Sequence, residues 1–172
     1  MAMIVETGAG LANAEAYADA TAFAVWHLAF YGTPTTATNQ EAEAAIRRAV
    51  AYLDGLAWIG TKANGRDQAL AWPRSSAVDA DGNEIGDDEV PAEVIAAQHA
   101  LTRAELASPG ALSPDVTLAG KKVLTEVKGI RWEVQKAPNT VDAARAVVTA
   151  AMDRIRGLLV AGGSATKMLE RA

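Results

Sequence analysis

The chain of 172 residues is 50% hydrophobic and 22% charged, enough for one soluble domain with its own core. It contains no cysteine, which excludes disulfides, thiolate metal sites and cysteine nucleophiles and fits a reducing compartment. Net charge is −5, but residues 1–93 carry 14 acidic against 5 basic side chains and residues 94–172 carry 7 against 11. Such polarity suits two solvated faces that simply differ, and it also suits subunits that stack head to tail in a ring. The opening MAMIVETGAG has no basic segment followed by an apolar run, and no stretch approaches the ~20 apolar residues of a membrane span. Neither secretion nor membrane insertion is expected.

Along the chain the pattern is mostly helical. Asn13 is placed to cap a first helix in which Ala16, Ala20, Phe23, Ala24, His27 and Phe30 recur at helical spacing, until Gly32 and Pro34 stop it. Thr38 and Glu41 have capping-box spacing, each side chain able to reach the other's backbone N–H. The stripe Ile46, Ala49, Val50, Leu53 and Ala57 then predicts a second helix fading near Gly60.

Residues 68–91 form the most informative segment. Trp72 precedes Pro73, so its backbone is pushed into an extended path, and a bulky ring on such a rigid segment serves as a packing anchor beside Arg74. Asp81-Gly82 reads as a tight turn, and Val90-Pro91 as the start of a third helix, with Asp88 and Glu89 where the helix dipole favours negative charge. Val94, Ala97, Leu101 and Ala104 continue that helix to Ser108-Pro109-Gly110.

From Lys121 the period changes to two: Val123 and Val127, then Ile130, Trp132 and Val134, predict a β-hairpin with one apolar face. Asn139 or Thr140 caps a last long helix with the stripe Val141, Ala144, Val148, Met152, Ile155 and Leu159, ending at Gly162-Gly163. The expected architecture is mainly α: a helical bundle of about four helices over residues 1–163, one hairpin near 121–135, and a flexible tail over 164–172. Alanine-rich helices provide little apolar area each, since burying a Leu or Phe contributes roughly 1.5–3 kcal/mol and an alanine much less. The four Trp and two Phe must carry much of the core, and further apolar surface is expected to be buried against other subunits.

Patterns that invite a chemical reading fail on their spacing. Asp79, Asp81 and Asn83 match the first ligands of a calcium loop, but Glu84 stands where glycine is needed and Val90 where the bidentate glutamate is needed. Gly162 to Lys167 follows a helix and lacks the Gly-Lys-Ser/Thr ending of a phosphate loop. His27 and His99 have no ligand partner one helical turn away and read as packing or surface residues. No Ser sits in a nucleophile elbow, and the carboxylates of 79–93 lack flanks that would tune them for proton transfer, so no enzyme, cofactor or metal is expected. Lys121, Lys122, Lys128 and Arg131 surround Trp132, the ingredients of a single-strand platform. Strict alternation places Trp132 on the apolar face, however, and the overall acidity opposes phosphate binding.

Gln68-Ala69-Leu70-Ala71-Trp72-Pro73-Arg74, followed by Asp79-x-Asp81-Gly82, Ile85 and Val90-Pro91 with Val94 and Ala97, resembles the head–tail connector (adaptor) proteins of long-tailed bacteriophages. That family is also labelled DnaT-like single-stranded-DNA-binding protein. The resemblance extends to Val5-Glu6-x-Gly8-x-Gly10-Leu11, Ala14-x-x-Tyr17, Tyr52-Leu53-Asp54-Gly55 and Val127-x-Gly129-Ile130, and so covers nearly the whole chain. Ala16 stands where relatives often have serine, and Leu56 where many have arginine.

The resemblance implies a virion structural protein of the neck, made and assembled in the host cytoplasm. Its subunits, typically twelve, form a ring that joins the portal to the next connector (stopper) or a tail-terminator protein, with DNA passing through the channel without sequence recognition. It nominates Lys167, Met168, Leu169 and Arg171 of the tail as the portal-docking element, while the residue pattern itself points to Trp72, Pro73, Arg74, Asp81, Gly82 and Pro91 as a structural loop and to Lys121, Lys122, Lys128 and Arg131 as an interface or DNA-facing hairpin. The alternative is a DnaT-like single-stranded-DNA-binding module.

Overall fold

The computed structural model describes residues 3–113 and 148–160 of the chain. Among them it is mainly helical, with α1 (Ala20–Tyr31), α2 (Asn39–Asp54), α3 (Ala92–Ala107) and the short α4 (Thr149–Ile155). Two small antiparallel sheets lie between α2 and α3: β1 (Thr61–Lys62) pairs with β2 (Arg74–Ser75), and β3 (Ala77–Val78) with β4 (Glu84–Ile85). The expected hairpin near 121–135 and the tail 164–172 lie outside the described residues, so both sheets occur where the sequence reads as loop.

The first helix starts six residues later than Asn13 predicts. Asp19 is the cap, its carboxylate accepting from the Ala22 N–H at 2.8 Å, and Gly32 ends the helix with a positive φ of 70°. Residues before Asp19 are committed elsewhere. The Glu6 N–H donates to the Ala16 carbonyl at 2.8 Å, the Glu15 N–H to the Ile4 carbonyl at 2.8 Å, and the Tyr17 N–H to the Gln98 side chain at 2.7 Å. A helix through these residues would take those donors away. The Glu6 carboxylate is buried and accepts from the N–H groups of Gly8, Gly10 and Leu11, curling the N-terminal loop around itself. Gly8 has φ of 114°, and a Cβ there would lie 1.8 Å from the Asp88 carbonyl oxygen, so glycine is required for this loop to meet the segment before α3.

α2 follows its pattern closely. The Thr38–Glu41 capping box is formed in both directions, and Ala42, Ala45, Ile46, Ala49, Val50 and Leu53 make the buried stripe. The helix stops at Asp54 rather than near Gly60, and Ala57 is exposed beyond its end. α3 begins after Pro91 and buries Val94, Ala97 and Leu101 as expected, together with Gln98, Thr102 and Glu105 on the same stripe. It packs against both α2 and α4, while α1 lies across α2 and α3. The last helix ends at Ile155. A 3-10 turn, Arg156–Leu158, follows, and Leu159 forms an antiparallel bridge with Trp58 instead of extending the helical stripe.

The loop around Trp72 joins the core through two tryptophans and a set of buried hydrogen bonds. The Trp72 ring is fully buried and meets Trp58 edge to face at 5.8 Å, while the Trp58 Nε1–H donates to the Leu53 carbonyl at 2.9 Å. The Trp72–Pro73 peptide is cis. Buried Gln68 donates to the carbonyls of Leu70 and Pro73 at 2.9 and 3.0 Å and accepts from the Asn64 N–H. Arg74 spends its guanidinium on the carbonyls of Ile59, Gly60 and Ala71, tying the loop to the segment after α2.

Replacing Trp72 with alanine is expected to destabilise the fold by roughly 3–5 kcal/mol in urea or guanidinium unfolding, the cost of emptying a fully buried aromatic site. A change below about 1 kcal/mol, the range of surface substitutions, would contradict this placement.

Candidate functional site

α1 has no Asp, Glu, Lys or Arg among its 12 residues, yet only Ala20 and Phe23 are buried. A helix apolar all round belongs in the interior of a domain or of an assembly. Here Val25 (65%), Phe30 (57%), Leu28 (50%) and Tyr31 (40%) remain exposed. Phe30, expected to face inward from its spacing, is therefore an outward ring. α1 presses Ala20 and Phe23 into the core, with Trp26 half-buried beside them, and leaves the side carrying Val25, Leu28 and Phe30 uncovered.

The rings of this face are ordered by helical i, i+4 spacing. Trp26 stacks on Phe30 at 5.1 Å and on His99 of α3 at 5.3 Å, and the Arg154 guanidinium of α4 lies 5.5 Å from the Phe30 ring. Tyr31 meets His27 at 5.0 Å and carries the Arg103 guanidinium over its face at 4.3 Å. Neither Arg103 nor Arg154 forms an ion pair among the described residues. His27 Nδ1 lies 2.9 Å from the Thr33 carbonyl. His99 is buried between Phe23 and Trp26 and its Nδ1 has no hydrogen-bond partner; burial, only partly offset by Asp19, pulls its pKa down to about 4.

Beside this face lies an open groove of about 750 Å³ whose walls include His27, Thr35, Thr36, Arg48, Arg103 and Leu106. Its floor is Glu105. This fully buried carboxylate accepts from Arg48 Nε at 2.6 Å, from the Gly110 N–H at 2.8 Å and from the Leu112 N–H at 3.0 Å. Burial works against its charge, but those donors outweigh burial and hold the carboxyl below its usual range. Arg48 and Glu105 therefore brace the turn after α3.

Of the residues singled out in the sequence, Trp72, Pro73 and Pro91 are buried and Arg74 half-buried, as a structural loop requires. Asp81 and Gly82 form the exposed β3–β4 turn, with Gly82 at φ of 88°. Asp79 folds back on this turn, accepting from the N–H groups of Asp81 and Asn83 and from the Asn83 side chain, which holds its carboxyl below the usual range. Asp81, Glu84, Asp87, Asp88 and Glu89 are exposed and make no ion pair among the described residues. Lys121, Lys122, Lys128 and Arg131, and the tail residues Lys167, Met168, Leu169 and Arg171, lie outside the described residues. The exposed α1 face and the buried Glu6, Gln98 and Glu105 went unread in the sequence. The absence of charge over Ala20–Tyr31, and a glutamine and a glutamate on the apolar stripe of α3, were the available signals.

A family model described as "Putative DnaT-like ssDNA binding protein" matches residues 1–172, and the chain belongs to that family. No curated protein and no solved structure matches it.

Two measurements check this geometry. Arg48→Met is expected to cost about 1.5–3 kcal/mol, because it strips a charge-assisted hydrogen bond from a buried carboxylate, whereas Arg103→Ala should cost under about 1 kcal/mol as an exposed cation–π contact. Equal effects in denaturant unfolding would contradict the assignment of the two arginines. For His99, the unfolded chain takes up a proton near pH 6.5 that the folded ring resists until about pH 4. Its contribution is whole above pH ~6.5 and is lost as the pH falls toward 4. His99→Phe should therefore lose about 2–3 kcal/mol less than the parent between pH ~7 and pH ~4.5; parallel pH profiles would contradict it.

Proposed function

We propose that this chain is a virion structural protein, a head–tail connector whose subunits form a ring, twelve in the resembling proteins, between the phage portal and the next connector (stopper) or tail-terminator protein. The observation that carries the reading is the uncharged α1, exposed along Val25, Leu28, Phe30 and Tyr31. Contiguous exposed apolar surface of this kind marks a protein contact, and Trp, Tyr and Arg, all present here, dominate the energetics of such contacts. The described residues hold 16 acidic and 8 basic side chains, a balance that lets DNA pass a channel without adhering to it. On this reading the helices serve as a scaffold, there is no enzymatic step or cofactor, the protein is assembled in the host cytoplasm into the neck of the virion, and Lys167, Met168, Leu169 and Arg171 of the tail engage the portal.

The family description favours a second reading, a single-stranded-DNA-binding module. Trp26, Phe30 and Tyr31 with Arg103 and Arg154 are the side-chain types of a base-stacking platform. The surrounding excess of carboxylates opposes it, since affinity for single strands comes largely from neutralised phosphates.

Mass photometry of the protein mixed with its portal ring, at low and high salt, separates the two. One copy joining per portal subunit, with loss of docking on deleting residues 164–172, is the expected result. Absence of portal binding together with tight, salt-sensitive binding of a single-stranded oligonucleotide would overturn it.

A further inference from the structure

We infer that the groove at the C-terminal end of α3 is the seat for the acidic β3–β4 segment, residues 81–89, of a second copy of this chain. The inference rests on the ring reading above and names the surfaces that close the ring.

Two features on opposite ends of one helix carry it. The acidic segment leads directly into the N-terminus of α3, with Asp81, Glu84, Asp87, Asp88 and Glu89 exposed and without ion pairs among the described residues. The groove lies at the other end, where Arg103 sits over Tyr31 without a carboxylate partner and Arg48 shows part of its guanidinium beside the Glu105 it braces. α3 has 16 residues, so the two features are separated by roughly 24 Å of helix. The groove also holds the Glu41 and Glu105 carboxylates, so the charge match rests on Arg103, whose guanidinium has no carboxylate partner among the described residues, and the acidic turn at one end of the helix faces a concavity at the other.

Apolar surface is matched as well. Val78 of β3 is 43% exposed at the base of the acidic turn, and Tyr31, exposed, lies against the groove residues Arg103 and His27. Unlike surfaces at opposite ends of a subunit can pair reciprocally in a two-fold dimer, which oxidation would trap as a covalent dimer, or join in one direction only, which gives a ladder; the ring reading selects the second. Such head-to-tail contacts close into a ring when the rotation per subunit permits. The unpaired carboxylates before α3 stabilise their own helix N-terminus in the single subunit, so the same charges serve the fold first and the contact afterwards.

The absence of cysteine makes a direct test clean. Thr36→Cys places a thiol in the groove and Asp87→Cys one on the acidic segment, both at exposed positions. A disulfide needs Cα atoms within ~7 Å, so these positions at opposite ends of α3 bridge only between copies. Mild oxidation of the double variant, alone at high concentration and assembled on the portal ring, is expected to give a ladder of covalent multimers that neither single variant gives. Arg103→Glu should lower the yield severalfold, and adding Asp88→Arg and Glu89→Arg should restore it. A complete portal-bound ring without the ladder would overturn this inference and leave the connector reading standing. Failure of both multimer formation and portal binding would overturn the two together.

Discussion

Asp54, the last residue of α2, holds the described fold together through one oxygen. Its Oδ1 accepts from the Ala71 N–H at 2.9 Å and from the Tyr17 hydroxyl at 3.2 Å, and that hydroxyl in turn accepts from the Trp72 N–H at 3.2 Å. The Tyr17 N–H donates to Gln98 of α3, whose amide donates onward to the Ala18 carbonyl. Four segments distant in sequence thus meet at one buried phenol. Burial, and then the Asp54 carboxylate, push the Tyr17 hydroxyl far above its ordinary pKa, which keeps its proton in place to donate. A network of this kind strengthens cooperatively in a low-dielectric site and fixes one arrangement of its members. The network satisfies the backbone N–H of Trp72, while the ring's Nε1–H is buried without a partner among the described residues.

That arrangement explains why the core can be small. Alanines on α2 and α3 let the helices approach closely, and the large rings of Trp58, Trp72 and Phe23 fill the space at their ends. α1 is then left with more apolar surface than the core can cover. In a solitary soluble domain such a face is a liability, whereas in a subunit of an assembly it is the contact itself. The neighbouring Arg103 and the acidic segment before α3 carry charge of opposite sign at separate places, which on the ring reading gives the proposed contact direction as well as area.

Helices with strong local signals were legible in the sequence. The capping box at Thr38 and the stripe from Ile46 to Leu53 fixed α2, and Pro91 with Val94, Ala97 and Leu101 fixed α3, because local hydrogen bonds and periodic burial act in the same direction there. The Trp72 anchor and the Asp81-Gly82 turn were legible for the same reason. Asn13 misled because the N–H groups of Glu15 and Tyr17 donate to Ile4 and Gln98 and the Ala16 carbonyl accepts from Glu6, contacts made across long stretches of chain. Phe30 misled because helical periodicity says which residues share a face but not whether the fold covers that face. The two sheets have only two residues per strand, too short for any alternation to register. The candidate surface was invisible as a motif, since it is assembled from α1, α3 and α4 by packing.

Electron cryo-microscopy of the protein assembled on its portal ring is the most direct measurement of the account. Subunits arranged in a closed ring, with Val25, Leu28 and Phe30 covered by protein, are what the account predicts. A chain that takes no place on the portal, or one whose α1 rings stack against the bases of a bound single strand, would contradict it.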